Sequence, residues 1–471
     1  MKMPHLQKQK VKRSGYIAVV VCLILLSIAQ VYQLWQTSYS EGRLSRPTTQ
    51  DPPRDTSANL LEPVSIYISM GASDEGRYGN VSRNVQYFSQ LFSSSYSLLQ
   101  VLLTQEDSAL EEVKEEDLPW DKAVCVYRYA FSMDSRLVEA QLSTNLGKSF
   151  SFQEVWILPA ITMAEEPYCY FLDWESGAYY RISGNVHRRQ GTVQAFLEQF
   201  TGINELISKD YISSKRTLPN RFADNVFLKD KESKIVLYDV SLSEPFLTQD
   251  KVLDENAAQR YAMHFFQHPD MVRQTADENE ILYADEKITL KIQSSGLVQY
   301  VETLTDGDRA SVSLKDAYEL ACGFLREDIE ADANRVFETY LCGYEEGDNP
   351  DSYSFYFNYR FNDIPFVMDS QRLQDWKMQA PVEIYVEGSK VRAYKRYIVK
   401  KEMTPYHMIE LQTSYIQALD MFFESYPNWS DQRLTDFTPV YQQHGDQVSL
   451  IWMMEMNQQR YYGWSGQEAG S

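Results

Sequence analysis

Residues Ile17 to Trp35 read IAVVVCLILLSIAQVYQLW, a stretch with no charge whose first half is almost wholly apolar. As an α-helix it reaches about 28 Å, close to the hydrocarbon thickness of a bilayer. A helix is the natural way to cross, because lipid offers no partner to an unpaired backbone N–H or C=O. Lys2, Lys8, Lys10, Lys12 and Arg13 precede the stretch. Cationic flanks stay inside, so residues 1–16 are expected in the cytoplasm and everything after Trp35 outside, on a single-pass membrane protein. Tyr16, Tyr32 and Trp35 fall near the two interfaces. A cleaved signal peptide has the same basic start and apolar middle, and Ser27 and Ala29 offer a cut after Ala29. Against that, apolar residues continue through Val31, Leu34 and Trp35. The reading adopted is an uncut anchor.

Gly15, Ala18, Cys22, Leu25, Ala29 and Tyr32 recur at steps of three and four, so they share one stripe of that helix. Four of them are small, and small residues let membrane helices approach closely. The stripe is the candidate interface with a partner helix; the plainer alternative is an anchor with incidental small residues.

Charge divides the chain. Residues 1–46 carry seven Lys or Arg against one acid, or +6, so with a net charge of −21 the remainder carries −27. So acidic a region repels nucleic acid and anionic headgroups. The whole chain is 44% hydrophobic with 33 tyrosines, enough for the part beyond the apolar stretch to form a core. Residues 36–63, rich in Ser, Thr, Arg, Pro and Asp, read as a flexible linker.

Beyond the linker the pattern is α+β, with antiparallel sheets and packed helices. A first α/β region covers 64–215. It has strands at VSIYISM, AVCVYRYAF and EVWILPA and a hairpin turning at Glu175–Gly177. Helices are expected at Asn84–Leu103, at Ala109–Asp117 (acidic and exposed) and at Gln194–Phe200, ended by Gly202. Ser208–Arg221 reads as an exposed connection. Central (216–370) and C-terminal (371–471) α+β regions follow. In both the order is hairpin, helix, strands, with turn glycines at Gly296 and Gly388, which suggests a duplicated unit.

Signals for catalysis are weak. His264 and His268 have the spacing of a zinc helix, but Phe265 stands where the polarising Glu is needed and Pro269 ends the helix. Gly147-Lys148-Ser149 lacks the opening glycine of a phosphate loop, and no GxSxG elbow occurs. The pairs Glu115–Glu116, Glu165–Glu166 and Glu345–Glu346 lie in polar runs. Cys125, Cys169, Cys322 and Cys342 lack zinc-type spacing and read as buried thiols, with a Cys322–Cys342 bridge left open. The residues point to no enzyme, no cofactor and no metal.

The segment MHFFQHPDMVRQTADENEILYADEKITLKIQSSGLVQYVE resembles the central signature of the YycH (WalH) family, with Phe265, Phe266, Asp270, Val272, Arg273, Ile281, Tyr283, Asp285, Leu290, Gly296, Leu297 and Tyr300 at the matching positions. YRFNDIPFV and PVEIYVEGSKVRAYKRYIV resemble a later section of that family. Ile364-Pro365-Phe366 departs from its aromatic-Pro-Val, and the N-terminal third matches only loosely. The resemblance implies an accessory regulator of the WalK/WalR two-component system, controlling cell-wall metabolism. Its partners would be a WalK-like sensor histidine kinase, a YycI-like membrane protein and the bilayer. An exported ligand-binding or cell-wall-binding protein is the rival reading.

Overall fold

The computed structural model describes residues 59–463 except 84–86, 106–108, 162–164, 184–189, 230–239, 304–310, 332–336, 350, 362, 404–413, 426–432, 446 and 457–458. The expected membrane helix Ile17–Trp35 and its stripe Gly15, Ala18, Cys22, Leu25, Ala29 and Tyr32 lie outside the described residues. Among the described residues no helix is long and apolar enough to cross a membrane.

Runs of apolar and aromatic residues build a nine-stranded antiparallel sheet. Its strands are β1 (Ser65–Ser69), β2 (Arg77–Val81), β3 (Ala109–Val113), β4 (Val124–Asp134), β5 (Ser151–Leu158), β6 (Tyr168–Asp173), β7 (Ala178–Ser183), β8 (Tyr211–Ser213) and β9 (Phe227–Lys229). They pair in the order β3-β7-β6-β5-β4-β1-β2-β8-β9. Between them run α1 (Tyr87–Leu103), α2 (Ser135–Leu142), α3 (Gln190–Leu206) and α4 (Ser214–Thr217). α1 buries Leu91, Leu98 and Leu102, and α3 buries Phe196, Phe200 and Ile203, the three-and-four spacing of an apolar helix face. These stripes join Cys125, Tyr127, Val155, Ile157, Cys169 and Phe171 in one core. Val126, Trp156, Tyr170 and Leu172 belong to a second cluster with Trp174 and Phe227. Successive residues of a strand face opposite ways, so the central strands are apolar on both faces.

That two-sided burial corrects the expected helix at Ala109–Asp117. The segment is edge strand β3, paired with β7, followed by a 3-10 turn at Glu115–Asp117. Leu110 and Val113 have the spacing of a helix face. In the strand they point to opposite faces, Leu110 toward one cluster and Val113 toward the other. Glu111 and Glu112 pair with Arg181 at 2.5 Å and Lys148 at 2.9 Å. Gly202 does not end its helix either. It lies exposed inside α3, and burial of Phe200 and Ile203, about 1.5–3 kcal/mol for each large side chain, outweighs the roughly 1 kcal/mol cost of an interior glycine. Nor is Ser208–Arg221 wholly exposed. Ser213, Ser214 and Lys215 are buried, and Ser213 Oγ donates to Asn225 Oδ1 at 2.7 Å.

The second sheet has fourteen strands. They are β10 (Val240–Ser243), β11 (Arg273–Ala276), β12 (Glu280–Ala284), β13 (Ile288–Gln293), β14 (Leu297–Glu302), β15 (Glu338–Glu346), β16 (Ser352–Phe361), β17 (Ile364–Val367), β18 (Val382–Glu387), β19 (Lys390–Tyr397), β20 (Lys400–Met403), β21 (Leu434–His444), β22 (Gln447–Met456) and β23 (Gln459–Gly463). The order is β11-β12-β13-β14-β19-β18-β16-β17-β21-β22-β10-β20, with β15 beside β16 and β23 beside β22. Only β17–β21 is parallel among these pairings. Helices α5 (Glu255–Ala262), α6 (Leu314–Ala331), α7 (Ser370–Trp376) and α8 (Tyr415–Ser425) accompany it.

The order hairpin, helix, strands occurs twice: β13–β14, α6, β15–β16, then β18–β19, α8, β21–β22. The two stretches share one sheet, since β19 pairs with β14 and β18 with β16. The turn glycines Gly296 and Gly388 both have positive φ, 92° and 60°.

Candidate functional site: the signature segment and the Asp328 network

Asp254 caps α5 by accepting from the amide of Ala257 at 3.0 Å. The helix gives way to a 3-10 turn at Met263–Phe265, and Pro269 opens another at Pro269–Met271. His264 and His268 therefore do not share a helical face. His264 Nε2 lies 3.3 Å from Asp328 Oδ1, while His268 is exposed. Among the described residues no three His, Cys, Asp or Glu side chains are grouped to hold a metal.

Most of the signature residues point inward. Phe265 sits among Tyr261, Tyr300, Phe324 and Tyr394, with ring centroids 5.6–6.5 Å away. Phe266 and Tyr283 are core residues. Burial pushes the Tyr283 phenol up to about 12, with the charge of Glu255 adding to it. Tyr300 Oη donates to Glu302 Oε2 at 2.9 Å. Gly296 has φ +92°, and a Cβ there would stand 2.7 Å from the Ile398 carbonyl oxygen. That closeness has a use: Gly296 O accepts from the Ile398 amide at 2.9 Å, tying the β13–β14 turn to the end of β19. Asp270 and Arg273 are exposed, apart from this cluster.

Behind the aromatic ring is a buried charge that the sequence reading missed. Asp328, on α6, is 1% exposed. Its Oδ2 accepts from Arg396 Nη1 at 2.6 Å and from Tyr394 Oη, and its Oδ1 accepts from Tyr261 Oη. Burial alone would raise the carboxyl, but Arg396 and the hydrogen bonds from His264, Tyr261 and Tyr394 hold it at about 2. Arg396 Nε also donates to Tyr359 Oη at 3.3 Å. The network joins α5, α6, β16 and β19. A carboxylate so fully engaged acts as a fixed brace. One signal could have found it: Asp328 falls on the apolar stripe Ala321, Leu325, and Arg396 shares the inward parity of Tyr394.

Other isolated signals resolve locally. Lys148 pairs with Glu112 and lies 4.6 Å over the Tyr180 ring, so Gly147-Lys148-Ser149 is a surface turn. Cys125, Cys169 and Cys322 are buried and Cys342 is half-buried, and none of the four is in a disulfide. The chain enters the fold at a well-held point. Leu60 and Leu61 are buried, Tyr129 Oη donates to Leu61 O at 3.0 Å, and Arg360 Nη1 donates to Val64 O at 2.6 Å. Glu62 pairs with Arg83 beside them.

No family model matches the sequence. No curated protein matches it either. Among solved structures, the chain is similar to YycH from Bacillus subtilis, with 12% identity, a TM-score of 0.50, and coverage of 88% of this chain and 99% of that one. The mixed α+β architecture, large antiparallel sheets with helices packed on them, is thus a YycH-like fold.

Proposed function

We propose that this chain is a membrane-anchored extracytoplasmic regulator of a WalK-like sensor histidine kinase, acting without catalysis and beside a YycI-like partner. The observation that carries the reading is the likeness in fold to YycH across 88% of the chain. The signature residues from Phe265 to Tyr300 support it, because they build a hairpin and an aromatic cluster in the core of this chain. In this reading Ile17–Trp35 lies beside the kinase's helices with its N-terminus in the cytoplasm. If it packs better against one of two kinase arrangements, it shifts their populations, about tenfold for each 1.4 kcal/mol of difference. The buried Leu60 and Leu61 support coupling as well: a pull on the linker reaches β4 through Tyr129 and β16 through Arg360.

The test is to delete the gene in its host, restore it, and measure the phosphorylated response regulator and co-purification with the kinase from solubilised membranes. Regulation predicts a changed phosphorylation level restored by the gene, and recovery of the kinase with the protein. An unchanged level with no recovered kinase contradicts it.

A further inference from the structure

A second buried charge cluster lies where the first sheet meets the C-terminal strands. Arg128 of β4 places Nη1 3.2 Å from Glu154 Oε1 on β5 and Nη2 4.0 Å from Asp436 Oδ1 on β21. The same guanidinium donates to the Asn225 carbonyl. Glu154 is fully buried and accepts from Trp156 Nε1 at 2.9 Å and from Asn225 Nδ2 at 3.1 and 3.2 Å. Asp224 is half-buried, and its Oδ1 is shut off from solvent without a hydrogen-bond partner. Backbone bonds close the seam around these groups: the Ala223 amide donates to Leu434 O at 2.7 Å, and the Leu434 amide donates to Arg221 O at 3.0 Å.

The charge does not balance. Glu154 and Asp436 share one arginine, Arg128, and Asp224, next to Asn225 whose carbonyl that arginine holds, adds a third negative charge within its field. Lys215, held 5.1 Å over the Trp174 ring, and Arg433 add positive charge at the rim. Against them stand Glu115 and Glu175, and Glu455 beside Asp436 is taken up by Arg460 at 2.9 Å. Tyr67 faces the arginine as a neutral phenol. Glu154 and Asp436 both act against ionisation of Asp224, and that repulsion is relieved when it carries a proton.

We propose that this seam is a pH-sensitive clasp, in which proton uptake by Asp224 lets Arg128 hold the first sheet, the connecting segment and β21 together, and proton loss loosens them. Burial raises all three acids, and Asp224 reaches about 6 although Arg128 pulls it down. The folded seam then binds a proton more tightly than the open chain does. Its stabilisation is full below the ordinary carboxylate value and is lost as pH rises through about 6. The inference rests on these groups alone and stands apart from the kinase reading.

The experiment is hydrogen exchange on the full chain in detergent at about pH 5.5 and 7.5, corrected for the intrinsic pH dependence of exchange. A carboxyl titrating near 6 when closed changes the closing equilibrium by about fourfold over that interval. Protection of β21 and of residues 222–226 should therefore fall about fourfold relative to β13–β14. Asp224→Asn should remove the change, and Asp436→Asn, by taking away a repelling charge, should move it to lower pH. Equal protection at both pH values in the unaltered chain overturns the proposal, as does an unchanged pH response in whichever variants fold.

Discussion

Asp328 is where single-residue chemistry matters most. Replacing it with Asn takes the carboxylate away from buried Arg396, and breaking such a pair costs about 3–5 kcal/mol. Thermal melting of Asp328→Asn should show a loss of that order; a change within about 0.5 kcal/mol, the usual range for surface substitutions, would remove the brace from the account. The sign with pH is the reverse of the seam's. A carboxyl held at about 2 stabilises the fold above its ordinary value, and that contribution disappears as pH falls from about 4 toward 2. Gly296→Ala should also be costly, by about 1–3 kcal/mol, because φ is +92° and the new methyl meets a backbone oxygen. The signature spacing makes Gly296 and Phe265 stand out in the sequence. Asp328 and Arg396 do not, since their partners lie more than sixty residues apart and only the closed sheet brings them together.

Elements were most legible where one pattern had one reading. Strands β4 to β7 announce themselves by apolar runs and by the turn at Glu175–Gly177, and α1 by its heptad-like leucines. The two failures have different causes. A sheet covered on both faces lets Leu110 and Val113 bury in opposite directions, so a strand imitates a helix face. Gly202 reads as a stop signal, yet packing of its neighbours carries α3 on to Leu206. This gives a stabilising prediction: Gly202 is exposed with open space around its Cα, so Gly202→Ala should raise stability by about 0.5–1 kcal/mol in denaturant unfolding. Destabilisation there would mean α3 is not continuous. The recurring hairpin–helix–strands order was visible too. What the sequence hides is that β18–β19 slots between β14 and β16, because pairing partners are set by sheet closure and not by local pattern.

At the scale of the whole molecule, an antiparallel sheet meets a second sheet, antiparallel but for β17–β21, at a seam of buried charge, and the chain enters the first sheet through buried Leu60 and Leu61, held by Tyr129 of β4. The α+β class and the likeness to YycH agree with what the signature residues implied. The proposed action depends on the segment Ile17–Trp35 being an uncut helix that contacts other membrane helices through Gly15, Ala18, Cys22, Leu25, Ala29 and Tyr32. Exchanging residues 17–35 for a polyleucine helix of equal length tests this directly, with response-regulator phosphorylation as the readout and membrane fractionation as the control. The account predicts that the exchanged protein stays in the membrane and loses its effect on the kinase. Full retention of that effect, or a natural protein found free in the medium beginning after Ala29 with the pathway responding normally, would contradict it.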